Sequence, residues 1–337
     1  MVPFTRGGAE ALAETLTEQL IHHGHEAALV NIPFRQDPAT DIPWQMALVR
    51  GLRVPNVDKV IALKFPAYLI QHSHKILWLI HQYRQAYDLY HTSLSNLPPD
   101  SDGEMIRNLI SNGDVQALSE ARRIFTISGN VASRLRRFNG VEGEVAIAPP
   151  PDPHHFTCAP AQGYVFAGGR VTPPKRQHLL VEAMAQVRGR GRLIIAGPPE
   201  DTAYVEWIRN LVHFHKLSDR VTMDFRFLPR HDYVAYLTRS TAVAYVPIDE
   251  DAIGYVTMEA ALSGKPVITV DDAGGIRELV SDEAVGWIAH PSPSGLAASL
   301  GAVFAEPYEA AARGERLREK WESMGITWTK TIQRLLE

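Results

Sequence analysis

Four acidic residues and a glycine lie close together in the stretch DEDAIGYVTMEAALSGKPVI, residues 249–268. The apolar pattern predicts a helix from about Gly254 to Ser263, so Glu259 lies one or two turns inside it. A buried carboxylate without a partner is costly. Glu259 therefore either faces solvent or accepts hydrogen bonds, and ribose hydroxyls are good donors to a carboxylate. The pattern alone leaves open which of the three preceding acids takes part in chemistry.

Two cations follow a predicted buried strand in the stretch YVFAGGRVTPPKRQHLLVEAM, which begins at Tyr164. Arg170 and Lys175 lie on a loop that prolines stiffen, at the end of the strand where parallel sheets bind ligands. Arginine makes forked hydrogen bonds and lysine supplies a compact charge, so the pair suits a diphosphate. An ordinary polar loop between a strand and a helix is an equal alternative.

Glycine pairs open two of the predicted helices, at Gly7-Gly8 and at Gly274-Gly275. Backbone N–H groups at a helix start lack intrahelical partners and carry partial positive charge, so they bind anions without side chains. Each pair taken singly is better explained as a simple turn. Several such pairs at strand ends favour an anion site.

His81 ends the apolar run ILWLI, at the predicted carboxyl end of a strand. A histidine at that position is a candidate polar contact or proton carrier, and a surface histidine is the alternative. The other histidines come mostly in close pairs without cysteine or glutamate at zinc-binding spacing. We therefore predict no metal site.

The composition is that of an ordinary globular protein. The chain has 337 residues, 45% hydrophobic and 21% charged, with a formal net charge of −4. This length favours two domains, and the mild charge argues against a nucleic-acid-binding protein. A basic cluster at Arg134, Arg136 and Arg137 is interpreted as a solvated face, with an anionic acceptor or a membrane surface as the lesser alternative. With one cysteine, Cys158, and no apolar run of membrane-spanning length, the cytoplasm is the expected location.

Short β-rich runs alternate with helical patterns along the whole chain. The predicted strands are EAALVNI, KVIALKF, KILWLIH, RIFTIS, EVAIAP, YVFAGG, RLIIAG, RVTMDF, AVAYVPI, KPVITV and GWIAH. Alternation of this kind predicts an α/β fold with parallel sheets. The proline-rich stretch at 149–153 is the best linker candidate. We predict doubly wound Rossmann-like domains at 1–150 and 151–320, facing a cleft, and a terminal helix at 321–337.

The helix that Gly7-Gly8 opens lacks the strand that normally precedes such a turn. Only MVPFTR comes before it. We therefore expect a short apolar strand to be encoded upstream of Met1.

The motifs GGAE, GRVTPPK and DAIGYVTMEAALSGKPVITVDDAGGIRELV together resemble the family 4 retaining glycosyltransferases, which have the GT-B fold. The stretches ISGNVASRLRRF and ITWTKTIQRLL are also similar to that family, so the resemblance runs over nearly the whole chain. It implies a hexosyltransferase that moves a sugar from a nucleotide-diphosphate sugar to an acceptor, with retention at the anomeric carbon. The nucleotide-sugar is then a co-substrate, and no metal or other cofactor is implied.

The resemblance also implies roles for individual residues. Arg170 and Lys175 match the pair that binds the leaving diphosphate. Glu259 matches the second glutamate of the family's E-x7-E motif, which holds the donor ribose. Gly7 and Gly8 match the glycine loop that faces the donor phosphates.

Further positions follow from the same resemblance. His81 is similar in position to the family's histidine beside the transferred sugar. Gly254, Tyr255 and Val256 open the helix that carries the second glutamate and are expected to bind the donor. In the family the C-terminal helix crosses back onto the N-terminal domain, and Trp328 lies in the matching segment.

The first acid of the motif departs from the family pattern. Counting back from Glu259, the E-x7-E spacing reaches Asp251 rather than a glutamate. We expect Asp251 to contact the sugar because it keeps the spacing. Glu250 is the alternative if EDAIGYVT contains a one-residue insertion.

The predicted partners are a nucleotide-sugar donor and a sugar, lipid-linked or small-molecule acceptor, without nucleic acid. Peripheral contact with the inner face of a membrane and the oligomeric state stay open. Two other functions share these features. One is a GT-B nucleotide-sugar epimerase, and the other is a non-catalytic GT-B subunit that binds or scaffolds a partner.

Overall fold

The computed structural model describes residues 7–337, which divide into two compact units. Unit 1 contains the chain up to Ala148 together with Thr327–Glu337, and unit 2 contains Pro149–Ile326. The first boundary lies within two residues of the predicted one. Residues 321–326 belong to unit 2, so the segment assigned to unit 1 is shorter than the predicted 321–337.

Unit 1 is built on a parallel four-stranded sheet. Its elements up to the boundary are α1 (Gly8–His22), α2 (Ile42–Gly51), β1 (Val60–Lys64), β2 (Lys75–His81), α3 (Ser101–Ser119), β3 (Arg123–Thr126), α4 (Gly129–Asn139) and β4 (Glu144–Val145). The strand order is β1-β2-β3-β4. β2 is buried from Lys75 to Ile80, as expected for a parallel strand that is covered on both faces.

The predicted strand EAALVNI, residues 26–32, is wrong, because residues 25–36 have no regular secondary structure. Among the described residues β1 is an edge strand, and no strand lies beside it on the outer side. An extended segment becomes a strand only when a neighbour completes its hydrogen bonds. Leu29 and Val30 are accordingly 38% and 61% exposed. The expected first strand falls on residues 1–6 and upstream, outside the described residues.

Unit 2 is a parallel six-stranded sheet with helices between the strands. Its elements are β5 (Tyr164–Gly168), α5 (Gln177–Gln186), β6 (Arg192–Ala196), α6 (Thr202–Phe214), β7 (Val221–Asp224), α7 (Arg230–Thr238), β8 (Ala242–Ala244), α8 (Tyr255–Leu262), β9 (Val267–Val270), β10 (Gly286–Ala289), α9 (Pro293–Ala305) and α10 (Pro307–Met324). The strand order is β10-β9-β8-β5-β6-β7. From β5 the chain adds β6 and β7 on one side of the sheet. It then returns to the other side of β5, where it adds β8, β9 and β10. Sheets of this kind bind ligands beyond the carboxyl ends of the strands where the order reverses, here at β5 and β8.

The last helix, α11 (Trp328–Leu336), packs on unit 1. Thr327 begins it, because its side chain accepts a hydrogen bond from the Lys330 backbone N–H. The Trp328 ring meets Trp78 of β2 edge-on at 6.2 Å between centroids. Apolar residues at helical spacing, Trp328, Ile332 and Leu335, are buried, which anchors the helix by burial of apolar surface.

A buried acid lies in the core of unit 1. Asp114 of α3 is fully buried and accepts hydrogen bonds from the hydroxyls of Tyr68, at 2.9 Å, and Tyr87, at 2.7 Å. Burial raises the pKa of Asp114 to about 7, and the two tyrosine hydroxyls only partly oppose that shift. A carboxyl with such a pKa favours folding most at acidic pH.

We expect Asp114→Asn to remove this pH dependence. In the wild type the contribution of Asp114 is fully present below its unfolded pKa of about 4 and is lost as the pH rises to about 7. The free energy of unfolding of the variant, relative to wild type, should therefore rise by up to ~1.4 kcal/mol per pH unit in that range. Chemical denaturation from pH 4.5 to 7.5 measures this, with the exposed Asp102→Asn on the same helix as control. A difference that is constant with pH would contradict the assignment.

Candidate active site

Three loops of unit 2 meet beyond the carboxyl ends of β5, β8 and β9. The loop after β8 hydrogen-bonds to the loop after β5 through the Ile248 N–H and the Pro174 carbonyl, at 2.9 Å. It also hydrogen-bonds to the loop after β9, from the Glu250 N–H to the Ala273 carbonyl, at 3.1 Å. The predicted cations and acids are therefore carried by loops that bind one another.

Arg176 joins the same three loops through its side chain. Its guanidinium is buried and donates to the carbonyls of Val246, at 2.8 Å, and Pro247, at 2.6 Å. The same group makes two hydrogen bonds, of 2.9 and 2.6 Å, to the Asp272 carboxylate. The backbone of Arg176 is left-handed, with φ +52°, at the start of α5. A non-glycine residue in this conformation is costly, and these four hydrogen bonds offset the cost.

Lys175 lies in a partly buried polar cluster with Tyr245 and Glu250. The Lys175 ammonium donates to the Tyr245 hydroxyl at 2.7 Å and forms an ion pair with the Glu250 carboxylate. The Tyr245 hydroxyl in turn donates to Glu250 at 3.2 Å. Burial lowers the pKa of Lys175, but Tyr245 and Glu250 oppose it more strongly and hold that pKa above its usual range. The cluster therefore keeps a positive charge at the end of β5.

The acid beside Lys175 is Glu250, whereas sequence spacing favoured Asp251. The Asp251 side chain is partly exposed, and the backbone of Asp251 packs against Gly275. The backbone explains the difference, because the loop folds against the loop after β9 at Glu250. There Glu250 donates its N–H to Ala273 and accepts from the Gly275 N–H at 2.8 Å. This pairing directs the Glu250 carboxylate to Lys175.

The contact between the loops after β8 and β9 also explains Gly274 and Gly275, which were predicted to form an anion site. A Cβ on Gly274, whose φ is +68°, would lie 2.5 Å from the Glu250 carbonyl oxygen, so only glycine fits. The short helix here is a single 3-10 turn, Gly275–Glu278, and the Gly275 N–H is bound to Glu250. We therefore correct the expectation of an anion site at this helix start, because the glycines allow two loops to approach closely.

Glu259 is 2% exposed in the second turn of α8, which Gly254 precedes with φ +82°. One carboxylate oxygen accepts from Arg230 at 2.9 Å and the other from the Tyr233 hydroxyl at 2.7 Å. Burial raises the pKa of Glu259, and Arg230 and Tyr233 oppose that rise. Because a carboxylate has about four acceptor positions, two of them stay available to hydroxyl groups of a ligand.

The remaining predicted residues of unit 2 lie at the start of α8 and on the loop after β5. Tyr255 and Val256 are partly exposed in the first turn of α8. Burial, and then the nearby Glu259, raise the pKa of Tyr255. Arg170 lies on the loop after β5 and forms an exposed ion pair with Glu200. Because exposed pairs contribute little stability, Arg170 can exchange Glu200 for an anionic ligand at low cost.

The other predicted residues lie at the carboxyl edge of the unit 1 sheet. His81 ends β2 and is in register with Lys64, the last residue of β1. Lys64 pairs with Glu10 at 3.0 Å, and Glu10 accepts a hydrogen bond from the Gly7 N–H at 3.1 Å. Gly7 and Gly8 thus begin α1 next to the strand ends. The His81 Nδ1 donates to the Gln82 carbonyl at 2.6 Å, so in the neutral ring Nε2 is an acceptor.

Several residues of the site escaped sequence analysis. They make contacts with residues distant in sequence, which the local pattern does not show: Tyr245, Arg176, Arg230 and Tyr233. Only Arg176 could have been suspected from the sequence, because it follows Lys175 directly. The interpretation of the 134–137 cluster as a solvated face is wrong for Arg134, which is 7% exposed and lies 3.8 Å from Asp88. It holds for Arg136, whose ion pair with Glu142 is exposed.

Two general features concern residues 7–337 only. Within them, no group of three or more histidine, cysteine, aspartate or glutamate side chains could hold a metal ion. In the same part of the chain, no helix combines the length and apolar composition needed to cross a membrane.

Comparison with known sequences gives matches over most of the chain. Residues 159–323 match the family described as Glycosyl transferases group 1. D-inositol 3-phosphate glycosyltransferases of Nocardia farcinica and Kineococcus radiotolerans are 26% and 25% identical over 253 and 258 residues. Each match covers 67% of this chain, and 54% and 58% of those proteins. The chain therefore spans about half the length of these curated relatives.

Solved structures share the fold. A sucrose-phosphate synthase from Thermosynechococcus elongatus superposes with a TM-score of 0.77 at 18% identity, over 97% of this chain and 92% of that one. Anabaena HepE in complex with UDP and glucose gives a TM-score of 0.74 at 18% identity, over 100% and 96%. The predicted class, an α/β fold with two Rossmann-like parallel sheets, is confirmed.

We expect Tyr245→Phe to destabilise unit 2 while leaving the ring in place. The ring packs against Gly254, where a Cβ would approach it to 2.8 Å, so the fold should be kept. Loss of the hydroxyl leaves Lys175 and Glu250 each without one hydrogen bond. The free energy of unfolding should fall by about 1–3 kcal/mol, the cost of an unsatisfied buried polar group. Urea unfolding measures this, with Tyr308→Phe at an exposed site as control. Equal losses in the two variants would show that the buried hydroxyl contributes nothing specific.

Proposed function

Because the chain belongs to the glycosyl transferases group 1 family, we propose that it moves a sugar from a nucleotide-diphosphate sugar to an acceptor hydroxyl, with retention of the anomeric configuration. The observation that supports this most is the Lys175–Tyr245–Glu250 cluster at the point where the strand order of unit 2 reverses. It places a cation and an acid together where a parallel sheet binds a nucleotide.

The chemistry of glycosyl transfer matches the charges of this site. Breaking the bond between sugar and diphosphate builds positive charge on the ring and negative charge on the leaving group. Lys175, with Arg170 from the same loop, would stabilise the leaving diphosphate. Since these side chains already supply positive charge, we propose that the reaction needs no metal ion. For His81 we propose, from the family resemblance, that its Nε2 accepts a hydrogen bond from a hydroxyl of a sugar substrate.

Names of similar proteins guide the choice of substrates to test. Anabaena HepE, which shares the fold, is known in complex with UDP-glucose, and curated relatives are named D-inositol 3-phosphate glycosyltransferases. We therefore propose UDP-sugars as the first donors and a polyol phosphate as the first acceptor. A lipid-linked or other small-molecule acceptor is the next choice.

The proposal is tested by incubating the protein with UDP-glucose and D-inositol 3-phosphate, then with further donors, in the presence of a chelator. Release of UDP together with a product of unchanged anomeric configuration, detected by NMR, is the expected result. Sugar interconversion without acceptor would instead indicate an epimerase. No turnover and no binding with any donor would overturn the proposal in favour of a scaffold.

Lys175→Met should reduce turnover by about 10²-fold or more, because it removes a charge-assisted contact to the leaving group. The matched control is Lys216→Met, at an exposed position of the same unit. Initial rates at saturating donor give the comparison. If both variants keep wild-type turnover, Lys175 does not contact the leaving diphosphate.

We further propose that Glu250, rather than Asp251, contacts the donor sugar. Glu250→Gln should lower kcat by about 10²-fold, a loss typical of a group that acts in the transition state, while UDP affinity changes little. Asp251→Asn should have a much smaller effect in both measurements, because Glu250 is the acid that forms the ion pair with Lys175. Steady-state kinetics and calorimetry with UDP separate the two acids. The reverse pattern would restore the assignment to Asp251.

A further inference from the structure

Arg230 and Glu259 form an ion pair that the proposed roles do not explain. Arg230 begins α7 and its side chain is 39% exposed, whereas the Glu259 side chain is 2% exposed. The guanidinium lies over the rings of Phe156, at 4.9 Å, and Tyr233, at 5.5 Å. One end of the pair is therefore reachable from solvent, and the other is a buried carboxylate.

A carboxylate in the position of Glu259 needs help to stay charged. Removing an ionised carboxylate from water is costly unless it is paired and hydrogen-bonded. Ribose hydroxyls donate strongly only to the ionised form, because a protonated carboxyl loses acceptor capacity. The surroundings of Glu259 thus decide whether it can bind a ribose at all.

The charged and titratable groups around Glu259 act in opposite directions. Arg230 and Tyr233, from α7, donate hydrogen bonds to its two oxygens. Asp152 also pairs with Arg230, 3.4 Å from its Nε, and the negative charge of Asp152 disfavours ionisation of Glu259. Tyr255 of α8 is close enough to Glu259 for its own pKa to be raised by it. Arg230 is the one cation among these groups.

We propose that Arg230 is a positioning residue of the nucleoside site, which keeps Glu259 ionised and directed so that a ribose diol can donate to it. This inference rests on the proposed function. It goes beyond that function because it makes nucleotide affinity depend on pH through a residue outside the acidic motif. The side chain of Tyr233 supplies the second hydrogen bond, and it supplies no charge.

The first test measures the charge of Glu259 without any ligand. Burial raises the pKa of Glu259 above its unfolded value, so its contribution to stability is present at acidic pH and is lost as the pH rises. Arg230→Met should enlarge that loss, because removing the opposite charge of Arg230 raises the pKa of Glu259 further. The Tm of the variant should therefore fall further below wild type from pH 5 to pH 8.

Two controls make this test specific. In a Glu259→Gln background, the effect of Arg230→Met on Tm should no longer depend on pH. Arg226→Met removes an arginine that pairs with Asp224 and Asp232 nearby, and its effect should not depend on Glu259. If Arg230→Met does not fold, the same comparison is made with Arg230→Gln. The inference would be overturned if the Tm difference between wild type and Arg230→Met did not change with pH. It would also be overturned if the pH dependence of this difference persisted in the Glu259→Gln background.

The second test measures the affinity for UDP by calorimetry between pH 5.5 and 8.5. Arg230→Met should bind UDP about ten- to a hundredfold more weakly at the acidic end, the worth of a hydrogen bond to a charged group. The UDP affinity of Arg230→Met should recover toward that of wild type as Glu259 ionises at higher pH. Arg230→Lys, which keeps the positive charge, should restore much of the affinity at all pH values.

The outcomes separate this inference from the proposed function. Weaker UDP binding in Glu259→Gln, with unchanged binding in Arg230→Met at every pH, would overturn the role of Arg230 alone. Unchanged binding in both variants would overturn the assignment of Glu259 to the ribose, and the inference with it. The expected result is weaker binding than wild type in both variants, with a difference from wild type that changes with pH in Arg230→Met only, because the titration of the UDP phosphate affects all variants alike.

Discussion

The candidate site of unit 2 depends on the buried guanidinium of Arg176. Parallel strands end in separate loops, and nothing in a sheet itself forces loops after β5, β8 and β9 to converge. Arg176 donates to two carbonyls after β8 and to the Asp272 carboxylate after β9, from a left-handed backbone position directly after Lys175. The fixed fork of a guanidinium suits this task, because it can bind several acceptors in one plane. The ammonium of Lys175 is thereby held beside the loop that carries Glu250.

This convergence also explains the glycines. Where Glu250 and Gly274 form a parallel bridge, the backbones lie too close for any Cβ on Gly274. Main-chain contacts thus fix how the two loops lie against each other, and the charged side chain of Glu250 projects from this support. A ligand that brings two negative charges to Lys175 would meet donors that are already oriented, so little ordering of side chains opposes binding.

Sequence reasoning predicted the parallel strands of unit 2 because most of them are short, almost wholly apolar runs between turn residues, as in KPVITV and YVFAGG. It failed at EAALVNI, because a strand also needs a neighbour, and that neighbour is invisible in the local pattern. It singled out Lys175 and Glu259 as candidates through their spacing to glycine and proline, and their roles stay predictions. It favoured Asp251 over Glu250 because residue spacing contains no information about which loop pairs with which. Sequence reasoning did not identify Tyr245 and Arg230 for the same reason.

Two acids of unit 2, the partly buried Glu250 and the buried Glu259, are held in the same chemical manner. Glu250 is bound by a lysine and a tyrosine hydroxyl, and Glu259 by an arginine and a tyrosine hydroxyl. In each case the cation offsets the cost of burying a carboxylate, and the tyrosine occupies one acceptor position without adding charge. The difference lies in the cation. Lys175 is a compact charge with three donors that can turn to a phosphate, whereas the Arg230 fork lies over two aromatic rings and binds two acids. That contrast suits Glu250 to a place where charge changes during a reaction, and Glu259 to a place where a neutral diol is held throughout.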